Sequence, residues 1–110
     1  MLEWYLYLVR TRQGSLYTGI ATDVTRRMSE HEGDRGAKYL RSRGPLELAY
    51  QTKIGDRSLA LRAEHCMKKL TKTRKEEIIT KTPAGDELLE ILGLVDGAAD
   101  AGASPGVTDP

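Results

Sequence analysis

The sequence predicts an α+β domain, a small three-stranded antiparallel sheet flanked by helices. Two observations carry that prediction. Residues 4–10 and 15–20 alternate in character on either side of Arg12-Gln13-Gly14, the pattern of a β-hairpin, and Leu46–Lys53 resumes the alternation as a third strand. Between and after these strands, apolar residues recur at helical spacing over 23–31, 57–70 and 71–80. A chain of 110 residues has room for one modest core, and with no Phe and one Trp that core must be mostly Leu, Ile, Val, Ala and Met.

The hairpin sets the first register. A three-residue loop ending in a left-handed Gly14 pairs Thr11 with Ser15, Val9 with Tyr17 and Tyr7 with Gly19. Trp4, Leu6, Leu8, Leu16, Thr18 and Ile20 then share a core face, and Tyr5, Tyr7, Val9, Tyr17 and Gly19 share the other. Tyr7 and Tyr17 become diagonal neighbours, roughly 7–8 Å apart at the backbone. Gly19, opposite Tyr7, is expected to leave open space over the ring, as a ligand site needs. Thr22-Asp23 signals the N-cap of a helix over about 23–31, with Val24, Arg27, Met28 and His31 as its inward stripe. Arg27 and His31, one turn apart beside core positions, are either satisfied by partners or aimed into a cleft.

Residues 32–43 read as a basic loop with a turn of helix near 37–41, ended by Pro45. Gly55-Asp56 is a turn, and the helix from Arg57 to Leu70 buries Leu59, Ala63, Cys66, Met67 and Leu70. Glu64 borders that stripe and has two readings. One is an exposed pair with Lys68, worth ~0.3–0.5 kcal/mol. The other is a carboxylate reaching the cleft of the tyrosines. His65, on another face, reads as a surface residue. The helix over 71–80 turns Ile78 and Ile79 inward and leaves Lys72, Arg74 and Lys75 on a basic edge with Lys68 and Lys69. After Pro83-Ala84-Gly85, residues 86–94 form a short helix through Leu88, Leu89, Ile91 and Leu92. Residues 1–82 are thus expected as the domain, 83–95 as a short helix packed on it, and 96–110 as a disordered acidic tail.

Charge is unevenly spread. All 17 Lys and Arg lie at or before Lys81, against 10 acidic residues before Asp86, so the first 85 residues carry +7 while the whole chain carries +1. That balance suits a polyanion. Arg26, Arg35, Lys38, Arg41, Arg43, Lys68, Lys69 and Lys72 are the candidate nucleic-acid contacts. No apolar run approaches the roughly 18 residues of a membrane span, so no membrane partner is expected. Glu3 and Arg10 interrupt the only early apolar stretch, which leaves no secretory leader in the reading. Cys66 is alone, so no internal disulfide forms and a cytoplasmic setting is expected. No zinc spacing, Walker loop or dinucleotide fingerprint occurs, so no organic cofactor is expected.

If Tyr7, Tyr17, Arg27, His31 and Glu64 meet, the set suits phosphodiester hydrolysis. A single carboxylate suffices for Mg²⁺ or Mn²⁺ when water and a substrate phosphate fill the other positions. Such an ion polarises the phosphodiester and neutralises charge on its oxygens. The guanidinium of Arg27 matches phosphate bidentately. A tyrosine near a cation and an arginine is expected to have its pKa drawn down from ~10, making it a usable general base. The other tyrosine and His31 orient the attacking water. Acyl transfer is unsupported, because no Ser or Cys nucleophile is paired with a histidine.

Tyr5-Leu6-Tyr7, Tyr17-Thr18-Gly19, Arg27 with His31 one turn on, and Glu64 within SLALRAEHCMKKL together resemble the signature of the GIY-YIG nuclease superfamily. The resemblance covers roughly residues 4–80 and is closest to the short stand-alone bacterial members, the YhbQ-like group. It implies a three-stranded antiparallel sheet flanked by helices and divalent-metal-dependent cleavage of DNA. On that resemblance Glu64 holds one Mg²⁺ or Mn²⁺ ion, Tyr7 or Tyr17 activates water, and Arg27 stabilises the phosphate. Tyr5, Leu6 and Thr18 depart from the family's Gly, Ile and Ile. The reading is therefore an endonuclease acting on DNA structure or damage, in repair or processing. Its alternative is an inactive nucleic-acid-binding module of the same fold.

Overall fold

The computed structural model describes residues 2–33, 35–41 and 43–94. The elements run β1 (Trp4–Arg10), β2 (Leu16–Ala21), α1 (Val24–Glu32), a 3₁₀ turn (Lys38–Leu40), β3 (Glu47–Gly55), α2 (Arg57–Lys68), α3 (Lys72–Lys81) and α4 (Gly85–Ile91). The strands form one antiparallel sheet in the order β2-β1-β3. This is the α+β architecture the sequence predicts. The expected tail, 96–110, lies outside the described residues.

The hairpin register holds: Val9 pairs with Tyr17 and Tyr7 with Gly19. Gly14 takes φ +93°, the left-handed position that closes such a loop without a Cβ clash. β1 lies at the centre of the sheet, and here the one-sided expectation fails. Leu6, Tyr7, Leu8 and Val9 are all buried, because helices or loops cover both faces. On one side Leu6 and Leu8 pack with Tyr50, Ala63, Met67, Ile78 and Leu88, drawing in α2, α3 and α4. On the other Tyr7 and Val9 pack with Ala21, Val24, Met28 and Leu40, drawing in α1 and the 3₁₀ turn. The molecule is a helix–sheet–helix sandwich, and the face carrying the tyrosines is itself a second core.

The α2 stripe is also rotated slightly from expectation. Ala60, Ala63 and Met67 are the buried residues, while Leu59, Cys66 and Leu70 are half-buried. Small side chains at 60 and 63 let α2 approach the sheet closely, so the apolar bulk of Leu59 falls to the side. Two polar clasps lock the outer helices to the strands. Arg10 places a two-pronged guanidinium on Glu76, joining β1 to α3, and the Tyr50 hydroxyl donates to the Pro83 carbonyl at 2.6 Å.

Candidate active site

Asp23 starts α1 by accepting a hydrogen bond from the Arg26 amide at 3.0 Å. That start sets the phase of the helix: Val24, Met28 and His31 face the sheet, and Arg27 sits at the margin with 37% of its side chain exposed. His31 is buried, and both ring nitrogens are used. Nδ1 receives the Ala37 amide at 3.1 Å, and Nε2 lies 2.9 Å from the Tyr7 hydroxyl. A backbone amide can only donate, so Nδ1 accepts and the ring proton sits on Nε2, directed at Tyr7. The loop reaches His31 because residue 36 is glycine. A Cβ there would stand 2.0 Å from Nδ1.

Gly19 plays the matching part beneath Tyr7, and the expected open space is absent. The phenol lies directly across Gly19, where a Cβ would meet its oxygen at 2.5 Å. Tyr7 is consequently only 1% exposed. Its pKa is pushed up to about 12, first by burial and next by the nearby Tyr17, with the Arg27 guanidinium acting against the rise. Loss of water around the ring outweighs the one close cation, Arg27. Burial and then Arg27 push the His31 pKa down, which keeps the ring neutral as its hydrogen bonds require.

Tyr17, half-buried, completes the cluster. Its ring centre is 6.5 Å from that of Tyr7 and 5.7 Å from that of His31, edge-on to the imidazole. Arg27 donates to Glu30 at 2.9 Å, and Arg26 approaches the same carboxylate at 3.4 Å. Arg26, Arg27 and Glu30 line a cleft of about 280 Å³ together with Trp4, Ile20 and Asp23. Glu64 comes from the opposite layer with 19% of its side chain exposed, and Lys68 Nζ stands 3.5 Å from it. Its charge also reaches Tyr7, as the smallest of the influences that raise it. Glu64 therefore pairs with Lys68, as the first of its two readings expects, but it is mostly shielded rather than exposed.

Tyr7, Tyr17 and His31 are in direct contact, and the Arg27 charge acts on Tyr7 and His31, while Glu64 lies on α2 in the opposite layer. Among the described residues no group of three or more His, Cys, Asp or Glu is arranged to hold a metal ion. The residues present nevertheless fit one kind of ion. A lone, mostly shielded carboxylate suits a Mg²⁺-like ion that keeps water and phosphate as its remaining ligands, once that ion takes the place of the Lys68 ammonium. Of the candidate nucleic-acid contacts, Arg26, Lys68 and Lys72 are paired with carboxylates. Arg35, Lys38 and Arg41 are exposed beside the loop that caps His31, and Lys69 is exposed at the end of α2.

Three contributors escape sequence reasoning: Glu30, the Gly36-Ala37 latch, and Tyr39. Tyr39 stacks on Tyr17 with ring centres 6.0 Å apart and planes 19° apart, and Arg43 stands 4.4 Å from the centre of the Tyr39 ring. The signal for it was an aromatic side chain set among Lys38, Arg41 and Arg43.

This geometry frames the comparison with known proteins. A family described as the GIY-YIG catalytic domain matches residues 3–77. The chain belongs to the GIY-YIG family. The UPF0213 proteins YhbQ of Salmonella arizonae and of Escherichia coli O8 are each 52% identical over 92 residues, covering 84% of this chain and 92% of theirs. A solution structure from E. faecalis is 36% identical and covers 72% of this chain and 84% of that one, with a TM-score of 0.52. A UPF0213 protein from Bacillus halodurans is 37% identical over the same shares, with a TM-score of 0.48. GIY-YIG domains are nuclease domains and are generally dependent on divalent metals, whereas the UPF0213 name states no activity. Tyr7 and Tyr17 both fall within the matched range, and adjacent antiparallel strands bring the two together.

Proposed function

We propose that this GIY-YIG protein is a divalent-metal-dependent endonuclease that hydrolyses DNA phosphodiester bonds, directed by structure or damage, in DNA repair or processing. The observation that carries the reading is the Tyr7–His31–Tyr17 cluster with Arg27 at its margin. Glu64 would hold the divalent ion, which when bound would supply positive charge to the phosphate. Arg27 turns its fork from Glu30 to a non-bridging phosphate oxygen. Tyr17, the more exposed tyrosine, first gives its own proton to solvent. As phenolate it takes the proton of the attacking water, while the leaving oxygen is protonated from solvent. Tyr7, buried and bonded to His31, is a positioning residue that holds the histidine and the Arg27 guanidinium in place.

The test is cleavage of single-stranded, duplex and branched DNA with Mn²⁺. Tyr17→Phe is expected to lower kcat by about 10²–10⁴ with KM little changed, the usual size of a general-base contribution. Glu64→Ala is expected to abolish cleavage and preserve DNA binding. If Glu64→Ala cuts as well as wild type, or Mn²⁺ elicits no cleavage of any substrate, the enzyme reading fails. The alternative, DNA binding without turnover, draws on the Lys68 ammonium beside Glu64 and the raised pKa of Tyr7.

A further inference from the structure

The loop between α1 and β3 does more than latch His31. Leu40 is fully buried beneath it, and the turn is tied by hydrogen bonds from the Leu40 amide to the Ala37 carbonyl at 3.0 Å and from the Arg41 amide to the Lys38 carbonyl at 3.2 Å. A further hydrogen bond, from the Arg12 amide to the Arg43 carbonyl at 3.2 Å, fastens it to the hairpin loop. On this anchored turn Tyr39 points outward and is 44% exposed. Its hydroxyl donates to Ser15 Oγ at 3.1 Å, which fixes the ring's tilt. A planar side chain is thus held rigid, in solvent, one ring away from the cluster around His31, and a guanidinium already lies over it.

We infer that Tyr39, with Arg43, is a stacking subsite for an unpaired nucleobase of the strand that lies in the active site. This deepens the nuclease reading and rests on it for the identity of the strand. With Tyr17 stacked on the ring, an incoming base takes the place that the flat Arg43 guanidinium now holds over Tyr39, and Arg43 turns to the attached phosphate. Lys38 and Arg41, exposed within two residues of Tyr39 on the same turn, bring the charge that a nucleic-acid backbone neutralises. A base within a duplex has both faces covered by its neighbours, so offering one to Tyr39 requires unstacking, which an unpaired nucleotide largely avoids. The subsite therefore favours strands with unpaired nucleotides over continuous duplex.

Binding of oligo-dT and of the matching duplex, measured by fluorescence anisotropy in EDTA, tests this on the full chain. The wild type is expected to prefer the single strand. Tyr39→Leu, which keeps an apolar cover on Tyr17, should weaken single-strand binding by about five- to a hundred-fold and duplex binding less than twofold. Tyr39→Trp should retain the wild-type preference. A 2-aminopurine placed in the oligo-dT should lose fluorescence on binding to wild type and Tyr39→Trp, but not to Tyr39→Leu. Equal single-strand affinity of wild type and Tyr39→Leu, or equal loss on both DNAs that Trp does not restore, overturns the subsite. Quenching as expected without any Mn²⁺-dependent cleavage keeps the subsite and removes the nuclease reading. Cleavage with an indifferent Tyr39→Leu does the reverse.

Discussion

At the scale of the residue, His31 has the most sharply specified state in the molecule. Its neighbours are Tyr7, Tyr17, Arg27, Glu30 and the Ala37 amide. Burial and the Arg27 guanidinium favour the neutral ring, the amide requires it, and Glu30 opposes them. The folded pKa is depressed below the 6.5 of an unperturbed histidine. The unfolded state therefore binds the extra proton, and stability falls as pH drops below about 6.5 through the lower folded value. Glu30 and Glu76, held low by Arg27 and Arg10, contribute losses only at more acid pH. Between pH 7 and 5 the melting temperature of wild type should fall more steeply than that of His31→Gln. Parallel curves would show that His31 tolerates its proton in the fold. The sequence made part of this state legible. Helical spacing put His31 on the inner face, and a period of two put Tyr7 and Tyr17 on one face. The sign of the Tyr7 shift was not legible, since it depends on how completely α1 and the Leu40 turn cover β1. Tyr39 was hidden for a related reason. Its place follows from a glycine contact with a histidine five residues earlier, and such contacts have no period.

At the scale of the element, the caps largely follow local chemistry. Asp23, Asp56 and Thr71 each accept the amide three residues on and start α1, α2 and α3. Those signals are local, which is why the helices were readable to within a residue or two. The end of α3 breaks the pattern. Thr82 closes it in the left-handed conformation, φ +46°, ψ +57°, where a β-branched side chain is strained and glycine is at ease. Thr82→Gly should remove that strain and raise stability by about 0.5–1 kcal/mol, less than the full strain because glycine also loosens the unfolded chain. Urea unfolding measures it as a higher midpoint with an unchanged m-value. A lower midpoint would mean that the Thr82 hydroxyl, which bonds the Lys81 carbonyl at 2.7 Å, outweighs the strain.

At the scale of the whole molecule, the +7 of residues 1–85 is not a uniform coat. On α2 and α3, Lys68 and Lys72 are drawn to Glu64 and Glu76 at 3.5 and 3.6 Å, and Arg74 to Glu77 at 2.8 Å. Lys38 and Arg41 stand exposed on the loop beside Tyr39, on the sheet face opposite α2 and α3. A cation already neutralised by a carboxylate releases few counterions when DNA arrives, whereas one in open solvent beside the bound strand contributes in full. The salt dependence of binding therefore identifies the face that DNA uses. For single-stranded DNA each lost phosphate contact lowers the slope of log K against log salt by about 0.7, so replacing both Lys38 and Arg41 with alanine should lower it by about 1.4. Lys72→Ala should leave it nearly unchanged. The opposite pattern, a slope sensitive to Lys72 and indifferent to Lys38 and Arg41, would put the strand along α2 and α3. It would then run past Glu64 without touching the stacked rings of Tyr17 and Tyr39, and the loop's basic residues would serve solubility alone.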